Sequence, residues 1–334
     1  MESFISDLSR SMLQQALSQK HDDKDKSKSK REEISLFLCE IVKELKANNK
    51  VLIPTDKTNG YALMTVEEYA SEMEQALLKT SRPIDAKNVK KYQHEALNLL
   101  EETRLSLSAK EYQGVLQQLK SCKVPTPRLL VKDHKQRKES GTYPCRLVVP
   151  ADSFISGFTK IGYLTVKEAF LRNNINIETN VIQQASTLKK DLIDLNLDAD
   201  NNYIASIDIV DFYPSVSYKM IEKAVWHYAS DLPESEKARI ATGLSLLKAG
   251  MSYQILSFQD KYYEYQGADA TDPGLTIGGY ESAFCSDLVV AFVMDKMKKD
   301  KMLIKKKEET IQEDQVQQKQ KIQKVKLTAH QILP

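Results

Sequence analysis

Two aspartates three residues apart, Asp208 and Asp211, lie in the stretch YIASIDIVDFYPSV. Asp208 falls inside a nearly apolar run, and Asp211 opens a turn with Phe212, Tyr213 and Pro214. A carboxylate in apolar surroundings needs a cation, hydrogen-bond donors or a metal to offset its desolvation. Mg²⁺ takes one or two carboxylates together with phosphate oxygens and water, so a carboxylate at a strand end beside free backbone amides suits a metal-bound triphosphate. The alternative is a strand-terminal aspartate bonded to its own turn, with Asp211 in an Asx turn. A second stretch, PGLTIGGYESAFCSDLVVAFVMD, sets Gly274, Gly278 and Gly279 before an apolar helix. Glycines there admit a ligand close to the backbone, and a helix N-terminus favours phosphate; an ordinary glycine loop is the commoner source of the pattern. A third is basic: Arg128, Lys132, His134, Lys135, Arg137, Lys138 and Arg146 could lay cations along a phosphate backbone or a triphosphate, or form a solvated charged loop. The fourth, VLIPTDKTNGYALMTVEEY, reads as a surface hairpin turning at Asn59-Gly60.

The elements that must position these residues follow from periodicity. Tyr203 to Val210 reads as a strand, and a helix from about Tyr218 buries Ile221, Ala224, Val225 and Tyr228. Arg128–Val131 and Arg146–Val149 read as strands flanking the basic loop Lys132–Lys138. Val51–Ile53 is a strand stopped by Pro54, Tyr61–Met64 its return, and Thr65 an N-cap for the helix that follows. Ile34, Leu36, Phe37, Ile41, Val42 and Leu45 give a helix ending near Asn48, preceded by a polar linker over 21–33. Two helices fill 85–121 and are broken by Pro125 and Pro127. Residues 160–195 are helical in period, 260–279 is a polar, glycine-bearing stretch, and a helix starts near Glu281 with Ser282, Phe284, Leu288 and Phe292 facing a core. Residues 298–326, rich in Lys, Gln and Glu, predict an exposed helix or disorder.

A chain of 334 residues has room for about two domains. With 48 Lys and Arg against 46 Asp and Glu, net charge is +2, which excludes a supercharged arm but leaves room for a local basic groove. The 41% hydrophobic content and sparse Gly and Pro exclude wholesale disorder and collagen-like sequence. Cys39, Cys122, Cys145 and Cys285 form no CxxC pair and the five histidines no HExxH, so zinc-ribbon and thioredoxin-type chemistry drop out. Scattered thiols fit a reducing compartment. The start MESFISDLSR lacks a signal-peptide pattern, and the longest apolar run, Leu288–Met294, is far short of the ~20 residues of a membrane span. The expectation is a soluble intracellular protein, nuclear or cytoplasmic, with no membrane partner.

Taken in order, the four stretches resemble the reverse-transcriptase family, most closely its Penelope-like branch of retroelements. VLIPTDKTNGYALMTVEEY is similar to a block that precedes the fingers. PRLLVKDHKQRKESGTYPCRLVV resembles the basic fingers block, with Lys132, His134, Lys135 and Arg146 matching. SIDIVDFYPSV resembles the first palm motif through Asp208 and Tyr213, and Gly274, Leu275, Gly278 and Ser282 match the glycine motif. The resemblance covers roughly residues 40–297. It implies an α/β (α+β) right-hand polymerase of fingers and partial palm over 50–297, an N-terminal helical extension over 1–49 and a polar tail over 298–334. It implies RNA-templated DNA synthesis with an RNA template, a DNA primer, a dNTP and two Mg²⁺ ions. Asp208 would ligate Mg²⁺ beside the Ile209 carbonyl. Lys132 and Arg146 would hold the triphosphate, which Asp211, Phe212 and Tyr213 border, with Tyr213 under the sugar. Lys135, Arg137, Lys138, Gly274, Gly278, Gly279 and Ser282 would face template and primer. Ile277, Gly279, Asp133 and Leu147 depart from the family pattern, and no aromatic-X-Asp-Asp follows Asp295. The expectation is therefore a truncated copy that does not polymerise alone. A non-catalytic nucleic-acid-binding remnant is the alternative, and a helical interaction protein built on the tail a third reading. Five basic contacts, from Lys132, Lys135, Arg137, Lys138 and Arg146, predict a log–log salt slope of about −4 to −5 on duplex.

Overall fold

The structure, a computed structural model, describes residues 37, 39–175, 177, 190, 209–269 and 271–299. Helices and small antiparallel sheets segregate in an α+β arrangement. The chain divides into two compact units. One draws on the described residues up to Ala86, on Pro125–Pro150 and on Ile255–Glu264. The other takes Lys87–Val124, the described part of Ala151–Gln254 and the described residues from Tyr265 onward. Among the described residues no helix is long and apolar enough to cross a membrane.

In the first unit, β1 (Lys50–Pro54) pairs antiparallel with β2 (Tyr61–Thr65), setting Val51 opposite Met64 and Ile53 opposite Ala62. Val51, Ile53 and Met64 are buried, so one face of this hairpin belongs to the core. Thr65 then starts α1 (Val66–Thr80) with a capping box. Its side chain accepts from the Glu68 amide, and the Glu68 carboxylate accepts from the Thr65 amide, satisfying two backbone donors at the helix start. β4 (Arg128–Val131) and β5 (Cys145–Val148) form a second hairpin with Leu130 opposite Arg146. A parallel bridge from Thr55 to Val131 ties it to the end of β1. β3 (Ser81–Ile84), β7 (Lys261–Tyr265) and β6 (Ile255–Phe258) make a three-stranded sheet in the order β3-β7-β6.

The β6–β7 hairpin corrects the reading of 260–279 as merely polar. Tyr263 and Tyr265 alternate inward between half-buried Tyr262 and Glu264. Gln259 and Asp260 turn the chain with φ of 48° and 60°, the left-handed pair that matches strand twist.

The second unit is helical: α2 (Ala86–Glu102), α3 (Ala109–Lys120), α4 (Ser156–Arg172), the single turn α5 (Phe212–Ser215), α6 (Tyr218–Ala229), α7 (Glu234–Ser252) and α8 (Ser282–Lys299). Val166, Phe170, Ile221, Val225, Leu244, Leu247 and Leu288 meet in its core. α4 and α7 approach at backbone distance because both carry glycine at the crossing. A Cβ on Gly162 would stand 2.6 Å from the Leu247 nitrogen, and one on Gly243 3.0 Å from the Gly162 carbonyl oxygen. The helical period read over 160–195 stops at Arg172, where Asn174 takes a φ of 54°. Of the remainder, residues 176, 178–189 and 191–195 lie outside the described set. The expected strand over Tyr203–Val210 also falls outside it up to Asp208, and Ile209 and Val210 are not strand but an exposed approach to the turn. The tail expected beyond α8 lies outside the described residues.

Gly162→Ala should destabilise the protein by about 1–3 kcal/mol, because the added methyl meets backbone that cannot step aside. Gly114→Ala, in α3 with nothing within 4 Å of the new Cβ, should stabilise it by about 0.5–1 kcal/mol through helix propensity and reduced unfolded-state freedom. Urea unfolding of both variants beside the parent chain reads the two signs.

Candidate functional site

The first cluster of interest lies wholly in the first unit, where the Thr55–Gly60 loop meets the basic loop. The amides of Asp56 and Asp133 both donate to the Val131 carbonyl, at 2.8 and 3.0 Å. The Thr58 hydroxyl donates to Asp133 Oδ2 at 2.5 Å, which holds that carboxyl below the usual range. Thr55 closes the loop on itself through Thr58 and Gly60. Arg146 Nη1 donates to Asp56 Oδ1 at 2.8 Å; the Asp56 side chain is 4% exposed and that of Arg146 32%. Asp56 Oδ2 is buried with no hydrogen-bond partner among the described residues. Asp56 is the residue that sequence reasoning passed over: it stands in the TDKTNG turn, but its partner lies 90 positions away.

The rest of the basic loop is held in the same manner. Lys138 Nζ donates at 2.5 Å to Glu72 on α1, whose side chain is only 7% exposed, and Thr142 donates to the other Glu72 oxygen at 2.8 Å. Arg137 stacks its guanidinium 4.3 Å from the Tyr143 ring centroid and donates to the Tyr143 hydroxyl. Lys132 is half-buried, its amide bonded to the Pro144 carbonyl. His134 stands beside Asp133 at 3.8 Å, and Lys135 is exposed. The loop thus presents cations on a frame anchored by two enclosed carboxylates. Cys145, beside it on β5, has its thiol pushed up to about 11 by burial.

The second cluster lies in the second unit. Asp211 turns the chain with a φ of 49°, and its carbonyl accepts from the Ser215 amide and hydroxyl at 3.1 and 3.0 Å. Phe212 and Tyr213 are half-buried, tilted against each other at 5.8 Å, and pack on the core. The turn is gripped by the glycine loop. Ala268 N–H donates to the Pro214 carbonyl, Leu275 N–H to Val216 and Tyr218 N–H to Pro273, while Ser217 bridges Gly274. A Cβ on Gly274 would run into the Pro214 carbonyl, and one on Gly267 would stand 2.7 Å from the same oxygen. Asp272, 6% exposed, accepts the Lys219 amide at 3.1 Å and with Ser217 caps α6.

Gly278 takes a φ of 111° and is exposed. Gly279 has Glu281, Ser282 and Thr276 oxygens within 2.8 Å of where a Cβ would be. Ser282 is 2% exposed and donates to the Thr276 carbonyl at 2.7 Å, so its hydroxyl closes the loop. Gly274 and Ser282 are therefore accounted for by packing. Glu281, read in the sequence only as the start of a helix, is enclosed beside Cys285, and burial pushes its carboxyl above the ordinary value.

Asp208, the residue expected to bind metal, lies outside the described residues. Ile209 is 51% exposed at the approach to the turn. Among the described residues no group of three or more His, Cys, Asp or Glu is arranged to hold a metal ion.

Asp56→Ala should destabilise the first unit by about 2 kcal/mol. That is below the ~3–5 of a fully enclosed pair, because water reaches Arg146. The double variant Asp56→Ala/Arg146→Ala should recover part of the loss in urea melts. Glu281→Gln should gain stability relative to the parent as pH rises. The parent's carboxyl ionises in the unfolded chain near 4.5 and only higher in the folded one, so the parent loses stability across that window. Melts from pH 4 to pH 8 check the slope.

No family model matches the chain, and none of the curated proteins compared with it matches either.

Proposed function

We propose that the chain is a reverse-transcriptase-like domain that binds an RNA template with its DNA primer. In this reading Lys132 and Arg146 receive the phosphates of a dNTP, while Lys135 and Arg137 follow the nucleic-acid backbone. The observation that carries the reading is the pairwise joining of the four stretches that bear the resemblance. The TDKTNG loop is bonded to the basic loop through Asp56, Thr58 and Arg146. The DFYPS turn is bonded to the glycine loop through Pro214, Val216 and Ser217. Stretches far apart in sequence thus form two compact polar centres, which supports a common function for each pair.

Nucleotidyl transfer in such a family is supported by two divalent ions that stabilise attacking and leaving oxygens; Asp208 and the Ile209 carbonyl are the groups in this chain that would hold one. No aromatic-X-Asp-Asp follows Asp295 in these 334 residues. The activity we propose for this chain is therefore binding without extension.

Lys138 and Arg146 each face a buried carboxylate, so they release fewer counterions than five independent cations would. The log–log salt slope on duplex should therefore be shallower than the about −4 to −5 that five independent contacts give, at ~0.9 per contact. Fluorescence-anisotropy titrations between 50 and 200 mM salt (about a fourfold range) measure it. A labelled primer on an RNA template with Mg²⁺ or Mn²⁺ should bind and remain unextended, with Asp208→Ala indistinguishable from the parent. Salt-independent binding would sink the nucleic-acid reading, and extension lost in Asp208→Ala would sink the non-extending one.

A further inference from the structure

In the second unit, α6 and α8 flank an open groove of about 400 Å³ lined by Glu222, Lys223, Trp226, His227, Phe292 and Lys296. That volume lies within the ~300–1,000 Å³ typical of small-molecule sites. Three of the six lining residues carry aromatic rings. His227 stands edge-on to Phe292 at 5.1 Å and to Tyr228 at 4.9 Å. Trp226 and Phe292 also pack against the core, so their positions are set before any ligand arrives.

The charges around these rings are unequally committed. Glu222 accepts from the Tyr218 hydroxyl at 3.2 Å. Asp295, next to the groove, accepts from the Tyr228 hydroxyl at 2.7 Å and lies 3.8 Å from His227. Lys223 and Lys296 are exposed and enter no ion pair among the described residues; Lys296 Nζ rests 5.1 Å from the Phe292 ring centroid. The acids are therefore engaged by tyrosine hydroxyls, and the two lysines at the rim remain open to an anion.

Aromatic faces between two cations that enter no ion pair among the described residues suit a planar ring carrying negative charge. We propose that this groove binds a nucleobase with its attached phosphate, the base against Trp226 and Phe292 and the phosphate between Lys223 and Lys296. Base–aromatic stacking beside a cation is the general means of holding unpaired bases. The same chemistry arrives either as a free nucleotide or as an unpaired base in a single strand. The site shares no residue with the basic loop and stands whether or not the polymerase reading does.

Trp226 is the chain's single tryptophan, so its fluorescence reports the groove directly. The full chain is titrated with adenosine monophosphate, with a twelve-nucleotide oligoadenylate, and with ribose 5-phosphate as a control. We expect saturable quenching by the first, the second or both, and none by the third. Quenching by the oligonucleotide alone assigns the groove to single strands, and quenching by the mononucleotide assigns it to free nucleotides. Lys223→Gln/Lys296→Gln should weaken the quench at least tenfold with an unchanged melting temperature, while Lys110→Gln/Lys120→Gln, at exposed positions of α3, should leave it intact. If the lysine variant melts early, Phe292→Leu serves in its place. Absence of saturable quenching by both nucleotides, equal quenching by ribose 5-phosphate, or parent-like affinity in the folded groove variant overturns the proposal.

Discussion

Where the glycine loop passes the DFYPS turn there is no room for a side-chain carbon. Gly267 and Gly274 both abut the Pro214 carbonyl, and that contact lets three backbone hydrogen bonds form between segments more than fifty residues apart. The rest of the second unit is arranged around it. α6 begins where the turn ends, capped by Ser217 from one segment and Asp272 from the other. The loop runs on through Thr276 and Ser282 into α8. A left-handed aspartate at the turn costs backbone strain of order 1–3 kcal/mol, and the grip on Pro214 and Val216 is what sustains it.

The first unit solves a related problem with charge instead of close packing. Two loops of mixed polarity must hold shape without a hydrophobic interior, and each is anchored by one enclosed carboxylate: Asp56 for Arg146 and Glu72 for Lys138. Such pairs contribute little net stability, since desolvation offsets most of the Coulomb gain. Their contribution is geometric: they fix which cation sits where.

Local chemistry was readable in the sequence wherever one segment carries its own instruction. Pro54, Asn59-Gly60 and Thr65 mark the β1–β2 hairpin and the start of α1 because each acts within four residues. The stripe Ser282, Phe284, Leu288 and Phe292 does face the core. The partners of Arg146 and Lys138 were not readable, because 90 and 66 residues separate them and nothing local distinguishes Asp56 or Glu72 from other acids. The β6–β7 hairpin escaped because Gln259-Asp260 lacks the glycine or asparagine that announces such a turn. α7 has no periodicity to read: Gly243, Leu244, Leu246, Leu247, Ala249, Gly250 and Met251 are buried on nearly every side of its second half. Gly274 was noticed as a ligand-facing glycine, yet its lack of a Cβ is explained by Pro214.

The pairing of Lys138 and Arg146 with enclosed acids also sets how the basic loop is felt at a distance. A lone cation is a monopole, whereas a cation beside a carboxylate 2.5–2.8 Å away acts as a dipole whose field decays a full power of distance faster. A polyanion diffusing beyond the ~8 Å Debye length at physiological ionic strength therefore meets a weaker pull than the loop's composition suggests. Capture then depends on short-range collision more than on long-range steering. An association rate that changes little with salt, beside an affinity that falls with it, is the kinetic consequence of burying Asp56 and Glu72.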